Sequence, residues 1–238
     1  MKRQSPTGYR HELKYLIGYP DYLLLKMRLE TLMKLDEHVN GDGHYVVRSL
    51  YFDDIHNSAY QEKLQGLPDR RKYRIRIYNY SDKVIQLECK IKKDRYVRKE
   101  MAPLTRQEFY WLMNGYPRFL LDTQYDLHRI FYYEFISKIL RPRVIVDYER
   151  EPYVMEAGDV RVTFDKHIRA SMDDLALFDQ FLSTAEVLAP GQLVMEVKYS
   201  GFLPELVRQI LTSGVSNYLA LSKYLMCCEK TFNKHHLN

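Results

Sequence analysis

Two neighbouring stretches near the middle of the chain alternate strictly between charged and apolar residues. Residues 72–78 read Lys-Tyr-Arg-Ile-Arg-Ile-Tyr, and residues 87–92 read Leu-Glu-Cys-Lys-Ile-Lys. A period of two is typical of β-strands, in which successive side chains point to opposite faces. We therefore predict a hairpin with one charged face and one apolar face. The charged face carries Lys72, Arg74, Arg76, Glu88, Lys90 and Lys92.

The same alternation recurs in residues 10–17, 159–165 and 194–199. Three of the alternating strands contain a glutamate two residues before a lysine, and the remaining charges are mostly arginines and lysines. The repeated setting indicates that these strands serve one common surface. The three pairs are Glu12/Lys14, Glu88/Lys90 and Glu196/Lys198.

Helical patterns separate the strands. The first of them, over 21–35, follows a proline and is predicted to bury a stripe formed by Leu24, Met27 and Leu32. Helices between strands need an apolar sheet surface to pack on. The charged faces of the strands must then lie on the side of the sheet away from these helices.

Two interpretations compete for the charged faces. In the first, the sheet leaves its charged face in water, as antiparallel sheets commonly do. In the second, the strands close around one axis, so that their charged faces converge inside a barrel clad in helices. The excess of arginine and lysine at matched positions favours the second. We predict an α+β fold, namely a closed, mostly antiparallel eight-stranded β-barrel, or tunnel, with a charged lumen and surrounding helices.

Such a lumen would hold many cations and few carboxylates. Like charges repel strongly where water is excluded, so the lumen would be stabilised by a bound polyanion. Arginine and lysine supply several donors to phosphate oxygens, while Mg²⁺ and Mn²⁺ bind carboxylate and phosphate oxygens. The residues alone therefore predict a metal-assisted site for a linear, highly charged phosphate compound.

The composition sets limits on the class of protein. The chain has 238 residues, of which 46% are hydrophobic, and a formal net charge of +5. This charge permits an anionic partner but is too small to indicate a nucleic-acid binder. The three cysteines lack metal-ligand spacing, and no apolar run is long enough for membrane insertion. We expect a single cytoplasmic domain over 1–238 with flexible tails at 1–8 and 231–238, no direct membrane insertion, and no assigned membrane partner.

Taken in order, these motifs resemble the polyphosphate polymerase (VTC) domain of the triphosphate tunnel metalloenzymes, also called CYTH-like proteins. The similarity extends from Glu12-x-Lys14 on the first strand to Ser222-Lys223 near the C-terminus. The resemblance implies transfer of the γ-phosphoryl group of ATP to a growing inorganic polyphosphate chain, with Mn²⁺ or Mg²⁺ as the cofactor.

The resemblance also implies roles for individual residues. Glu196 matches the metal-binding glutamate, and Glu12 is a second candidate ligand. Ser222 and Lys223 resemble a Ser-Lys pair that binds phosphate and closes the tunnel. Arg150 needs a bulge or a strand end to point inward, if the strand before it has its charges inside. The residues that would grip phosphate or line the polymer path are Lys14, Arg74, Arg76, Lys90, Arg150, Arg161, Lys198 and Lys223.

The first strand departs from the family pattern. Hydrolytic and cyclase members carry Glu-x-Glu-x-Lys where this chain has Arg10-x-Glu12-x-Lys14. The exchange of a carboxylate for a cation favours polyanion binding, and with it the polymerase. Two alternatives remain open: an inorganic triphosphatase or polyphosphatase, and a non-catalytic module that binds polyphosphate or inositol phosphate. The expected partners are ATP and inorganic polyphosphate or triphosphate, and no nucleic acid.

Overall fold

The computed structural model describes residues 11–93, 96–212 and 221–235. All ten strands in these ranges belong to one sheet. None of the six α-helices found there is both long and apolar enough to cross a membrane. The helices are α1 (Tyr19–Glu30), α2 (Ser58–Leu64), α3 (Arg106–Met113), α4 (Asp126–Ser137), α5 (Glu205–Thr212) and α6 (Lys223–His235). The strands are β1 (His11–Gly18), β2 (Lys34–Leu35), β3 (Tyr45–Asp53), β4 (Arg70–Tyr78), β5 (Ser81–Lys93), β6 (Tyr96–Leu104), β7 (Arg141–Met155), β8 (Val160–Ser171), β9 (Ala185–Glu186) and β10 (Gln192–Tyr199).

Eight strands form one continuous path in the order β1-β10-β8-β7-β3-β4-β5-β6. Every pair along this path is antiparallel. The two-residue strands β2 and β9 pair with β7 and β8 beside the path. These observations confirm the α+β class and the antiparallel sheet that the sequence predicts.

The sequence predicts that the sheet closes into a barrel. Within the described residues the two ends of the sheet are not joined by hydrogen bonds, so this part of the prediction is wrong. There, β1 and β6 stand at the two ends of the path and do not pair with each other. The sheet curls instead until side chains of β1 meet those of β5, with Lys90 Nζ 2.8 Å from Glu12 Oε2. In a flat sheet, strands six positions apart would be separated by about 29 Å. The curled sheet therefore encloses a tunnel-like space, with side chains rather than backbone bridging β1 and β5.

Helices cover the outer, apolar face of the curled sheet in two places. α3 and α4 pack on β4 and β5, where Phe131 joins a cluster with Ile75. α1 and α5 pack on β1, β8 and β10, where Leu25 joins a second cluster with Val197. Because side chains alternate along a strand, the charged residues of these strands lie on the concave side.

α6 packs against the concave face of the sheet. Tyr224 and Cys227 of α6 contact a cluster with Val47 of β3 and Val146 of β7. The concave face is thus apolar where α6 covers it. It is charged around the N-terminal end of α6, where the helix begins. Residues 231–235, predicted as part of a flexible tail, belong to α6, and the tail residues 1–8 and 236–238 lie outside the described residues.

The buried stripe of α1 differs from the predicted one. Leu25 and Leu29 are buried, whereas Leu24 is 56% exposed and Met27 is 67% exposed. The predicted stripe is therefore wrong at Leu24 and Met27, whereas Leu32, beyond the end of α1, packs partly buried against the same cluster as Leu25. Residues 23–25 are three consecutive leucines, so hydrophobicity alone does not decide which of them faces the core.

Candidate functional site

A cavity of about 390 Å³ opens on the concave side of the sheet. Its lining contains eleven lysine or arginine residues and two glutamates, and the remaining side chains are uncharged. This excess of cations makes it a site for an anion of high charge. The lining residues are Glu12, Lys14, Tyr51, Lys63, Arg70, Lys72, Arg74, Arg76, Lys90, Lys92, Val97, Tyr148, Arg150, Glu196, Lys198, Leu221, Ser222, Lys223 and Tyr224.

Strand alternation delivers most of these cations. Along β4, Lys72, Arg74 and Arg76 line the cavity, while Tyr73 and Ile75 between them join the outer core. The strand is thus amphipathic in the reverse of the usual sense, with its charged face enclosed by protein. The expectation that the charged faces converge inside the molecule is met at this strand.

Arg150 reaches the cavity by plain alternation along β7. It lies two residues after Tyr148, which also lines the cavity, and its register partner on β3 is Tyr45. Val47 and Tyr148 form the preceding pair in the same unbroken register.

The register does shift between the pairs Tyr51/Val144 and Phe52/Pro142, where Arg143 is an extra residue on β7. The bulge expected from the parity of the two arginines is therefore present, at Arg143 rather than at Arg150.

A buried carboxylate organises the two arginines of β4. The Arg74 guanidinium donates from Nε to Glu88 Oε2 at 2.7 Å, and its second nitrogen lies 2.6 Å from the same oxygen. Arg76 lies 3.8 Å from this oxygen, and Lys99 Nζ lies 3.0 Å from Glu88 Oε1. Burial opposes the charge on Glu88, but these three cations hold the pKa of its carboxyl below the usual range. Glu88 therefore fixes the direction in which both guanidinium groups point.

A second buried carboxylate, Asp165, orients Arg150. The guanidinium donates from Nε and Nη2 to the two carboxylate oxygens at 2.7 and 2.8 Å. Asp165 is fully buried, and the pKa of its carboxyl is lowered because Arg150 and Lys223 outweigh the effect of burial. A bidentate pair of this kind holds an arginine in one geometry.

The two glutamates of the lining share the same lysines. Lys198 Nζ lies 3.5 Å from Glu12 Oε1 and 3.2 Å from Glu196 Oε2. Lys14 Nζ lies 3.9 Å from Glu12 Oε1 and 3.5 Å from Glu196 Oε1. Although burial opposes ionisation, the surrounding lysines keep the pKa of both carboxyls well below the usual value. Both glutamates are therefore anionic at neutral pH.

Three lysines on β4, β5 and β6 are held at lowered pKa values. Burial, reinforced by the neighbouring Arg70, lowers the pKa of Lys72 to about 7. Burial lowers the pKa of Lys90 to about 8 and that of Lys99 to about 8, although each faces a glutamate. Each ammonium would gain from an added anion, because the anion supplies the countercharge that the protein lacks.

The sequence profile of the VTC domain matches residues 9–232. The chain belongs to the VTC domain family. Its fold is similar to that of solved structures, and a comparison with curated proteins finds no significant match.

A candidate adenylyl cyclase from Hippeastrum, HpAC1, described as having a dominant triphosphatase activity, aligns with a TM-score of 0.54. The identity is 14%, over 93% of this chain and 95% of that one, so the likeness is one of fold. PH1819 from Pyrococcus horikoshii OT3 aligns with a TM-score of 0.48 at 14% identity, over 93% and 99% of the two chains. A candidate adenylate cyclase from Bacillus halodurans aligns with a TM-score of 0.48 at 12% identity, over 86% and 88%.

Most of the site residues expected of a VTC domain meet in the cavity. Arg161 does not line it: its guanidinium lies 3.0 Å from Asp36 Oδ2 and donates to the Tyr45 hydroxyl at 3.0 Å. Arg10 lies outside the described residues. The expected residues in the lining are Glu12, Lys14, Arg74, Arg76, Lys90, Arg150, Glu196, Lys198, Ser222 and Lys223.

Several lining residues were not among those that the sequence predicted to bind phosphate or line the polymer path. Arg70 continues the alternation of β4 by one further step, and Lys72 and Lys92 belong to the charged face of the hairpin, so the periodicity contained the signal for all three. Lys63 comes from the short helix α2, and no pattern in the sequence points to it. Asp165 and Glu88 act behind the lining, through the arginines that they bind.

The donor set fits a divalent cation that arrives with phosphate. Among the described residues, no group of three or more His, Cys, Asp or Glu side chains is arranged to hold a metal. Mg²⁺, however, is commonly bound by one or two carboxylates together with phosphate oxygens. Glu196 and Glu12 are two such carboxylates, and they lie within one cluster of lysines.

Proposed function

We propose that this VTC-family chain is a metal-dependent polyphosphate polymerase that transfers the γ-phosphoryl group of ATP to a growing inorganic polyphosphate chain. The observation that carries the proposal is the lining of the cavity, where eleven cations face two glutamates. Neutralising such a surface takes a ligand with several negative charges in a row, as in a triphosphate or a longer chain. We further propose that the reaction takes place in the cytoplasm.

Positioning and charge neutralisation provide most of the catalysis in phosphoryl transfer. Arg74, Arg76 and Arg150 would grip the nucleotide phosphates, since buried carboxylates already hold them in one orientation. Lys90 would join them from β5. Arg161 would contribute only after leaving Asp36. Preorganised donors of this kind cost little reorganisation when charge develops on the transferred group.

The acceptor would lie along the lysines on the opposite wall. Lys14, Lys198 and Lys223 line the cavity on β1, β10 and α6 and would bind the end of the polymer. The attacking atom is a phosphate oxygen that is already anionic, so no strong general base is needed. A bound Mg²⁺ or Mn²⁺ ion, held by Glu196 and Glu12 with phosphate oxygens, would neutralise charge on the reacting phosphates.

A second candidate is an inorganic triphosphatase or polyphosphatase. HpAC1 has the same fold and is described as having a dominant triphosphatase activity. The arginine at position 10, where hydrolytic members carry a glutamate, argues against a hydrolase. A third candidate, a binding module without turnover, is compatible with the same cavity.

One experiment separates the three. The purified chain is incubated with ATP and Mn²⁺, and polyphosphate and free phosphate are measured separately. If the chain is a polymerase, it makes polyphosphate. The variants Glu196→Gln and Arg76→Ala should then lose polymer formation, whereas the control Glu205→Gln, at an exposed position on α5, should retain it. Phosphate released from tripolyphosphate without polymer would favour the hydrolase. Tight tripolyphosphate binding without either product would favour the binding module.

A further inference from the structure

Arg161 lies just outside the cavity, and the Asp36 carboxylate already pairs with it. Nη2 of Arg161 lies 3.0 Å from Asp36 Oδ2 and donates to the Tyr45 hydroxyl at 3.0 Å. Tyr45 is the register partner of Arg150, which lines the cavity. Arg161 is likewise the register partner of Lys198, another lining residue. The Arg161 side chain is 34% exposed, so an anion that extends beyond the cavity has access to it.

Cations form a row across the sheet from the cavity to its rim. Lys198 on β10 is paired with Arg161 on β8, and Arg161 is paired with Val154 on β7. Val154 is paired in turn with Lys34 on β2, which is exposed. Residues paired in this way carry their side chains on the same face of a sheet, and neighbouring strands lie about 4.8 Å apart. Lys198, Arg161 and Lys34 therefore extend the cationic lining outward over roughly 14 Å.

Asp36 places a negative charge on this row. Its backbone N–H donates to Pro152 O on β7 at 3.0 Å, and its Oδ1 accepts from His38 N at 3.0 Å. Burial opposes the charge of Asp36, which is 8% exposed, but hydrogen bonds from His38 and the charge of Arg161 lower the pKa of its carboxyl. An anionic group is thus fixed at the guanidinium, in the place that a phosphate bound to Arg161 would take.

We propose that Asp36 is a specificity-determining residue, which competes with phosphate for Arg161 and so discriminates between linear polyphosphates by their length. A triphosphate is bound by the cations of the cavity lining and leaves the ion pair between Asp36 and Arg161 intact. A longer chain extends along Lys198, Arg161 and Lys34, and there it must displace the Asp36 carboxylate before it gains the guanidinium. The affinity for longer chains is lowered by the cost of breaking this ion pair. The inference rests on the polyanion binding of the proposed function, but not on turnover.

Calorimetric titration of each variant compares tripolyphosphate with a longer linear polyphosphate of defined length. Asp36→Asn removes the competing charge and is expected to raise the affinity for the longer chain about tenfold, while the affinity for tripolyphosphate changes by less than about twofold. The double variant Asp36→Asn, Arg161→Ala should lose this gain. Glu37→Gln removes the same charge from the exposed neighbouring residue and should bind both ligands as the wild type does. No gain, equal gains for the two ligands, the same gain in Glu37→Gln, or a gain that survives the loss of Arg161 would overturn the proposal.

The wild-type chain provides a second measurement, which does not depend on the folding of any variant. The carbon NMR signal of the Asp36 side-chain carboxyl reports on its ion pair with Arg161. Saturating longer polyphosphate should shift this signal, because the carboxylate loses the guanidinium, whereas tripolyphosphate should leave it unchanged. An unshifted signal with the longer chain, or the same shift with both ligands, would contradict the competition. Failure to make polymer from ATP would leave both results standing, so it would refute the proposed function without refuting this role of Asp36.

Discussion

Glu12 and Lys90 lie on strands that are six positions apart in the sheet, and yet Lys90 Nζ is 2.8 Å from Glu12 Oε2. The pair joins β1 to β5 across the mouth of the curled sheet. In the described residues, this contact takes the place of a hydrogen-bonded closure between the ends of the strand path. Glu12 also lies among Lys14 and Lys198, so one carboxylate holds together three cations from three strands.

The Glu12→Gln substitution tests this role. Without the carboxylate, three lysines repel one another, and the free energy of unfolding should fall by about 1–3 kcal/mol. Tripolyphosphate should restore the lost stability, because it supplies the missing negative charge. Thermal unfolding with and without tripolyphosphate should therefore show a larger ligand-induced rise in Tm for Glu12→Gln than for the wild type. Equal rises would contradict the account, and Glu205→Gln on α5 serves as the control.

The phase of α1 can be checked with two adjacent leucines. Leu25 is 1% exposed in the core, whereas Leu24 is 56% exposed. Leu25→Ala should lower the free energy of unfolding by about 2–5 kcal/mol, because it removes buried contacts and leaves a cavity. Leu24→Ala should change it by less than about 0.5 kcal/mol. Urea unfolding followed by circular dichroism measures both, and a larger loss for Leu24→Ala would reverse the assignment.

The cavity-facing residues could be read from the sequence because strand periodicity is rigid. A period of two leaves only two faces on each strand, so Arg76 follows once Arg74 is placed inside on β4, and Lys198 follows from Glu196 on β10. The phase of α1 could not be read in this way, because its consecutive leucines are compatible with more than one buried face.

Contacts between residues that are far apart in the sequence account for the other differences between the predicted and the observed structure. Arg161 lies on the concave face as alternation requires, but Asp36 beyond α1 binds it, and nothing in the sequence relates these two residues. Lys63 also lines the cavity, from α2. Its position there is set by tertiary packing, which no local sequence pattern indicates. The open end of the strand path depends on the curl of the whole sheet, which the length and pattern of each strand do not determine.

The two arginines of β4 should dominate anion binding. Arg74→Ala and Arg76→Ala each remove charge-assisted hydrogen bonds worth about 1.5–3 kcal/mol, which corresponds to a loss of roughly 10- to 100-fold in tripolyphosphate affinity. Calorimetric titration measures the loss. Arg98→Ala is the control, since the Arg98 side chain on β6 is 68% exposed and lies outside the cavity lining. An equal loss in Arg98→Ala would indicate a nonspecific charge effect.

Removal of Arg74 also leaves Glu88 with fewer partners. The Arg74→Ala variant should therefore be less stable than the wild type, because a buried carboxylate loses its shortest ion pair. The double variant Arg74→Ala, Glu88→Gln should regain stability, since the uncompensated charge is gone. It should not regain tripolyphosphate affinity, because the guanidinium is still missing. Recovery of affinity in the double variant would show that Arg74 acts only as a partner of Glu88.

Lys72 should make anion binding depend on pH. Burial and the neighbouring Arg70 lower the pKa of Lys72 to about 7 in the ligand-free chain, whereas an unfolded chain titrates near the ordinary value of 10.5. Between these two values the unfolded chain binds more protons, so this residue makes the free energy of unfolding rise with pH. A bound phosphate chain favours the charged form, so the complex takes up a proton in the same range and affinity falls as the pH rises from 7 to 9.

Calorimetric titration of tripolyphosphate in buffers of different ionisation enthalpy measures this proton uptake directly. At pH 8 the wild-type chain should take up more protons on binding than Lys72→Met does, and its affinity should fall more steeply with pH. The comparison between the two chains cancels the titration of the ligand itself. Lys230→Met on the exposed side of α6 should behave as the wild type does. Identical proton uptake by the wild type and Lys72→Met would mean that Lys72 does not change its protonation state when the anion binds, and would contradict the prediction.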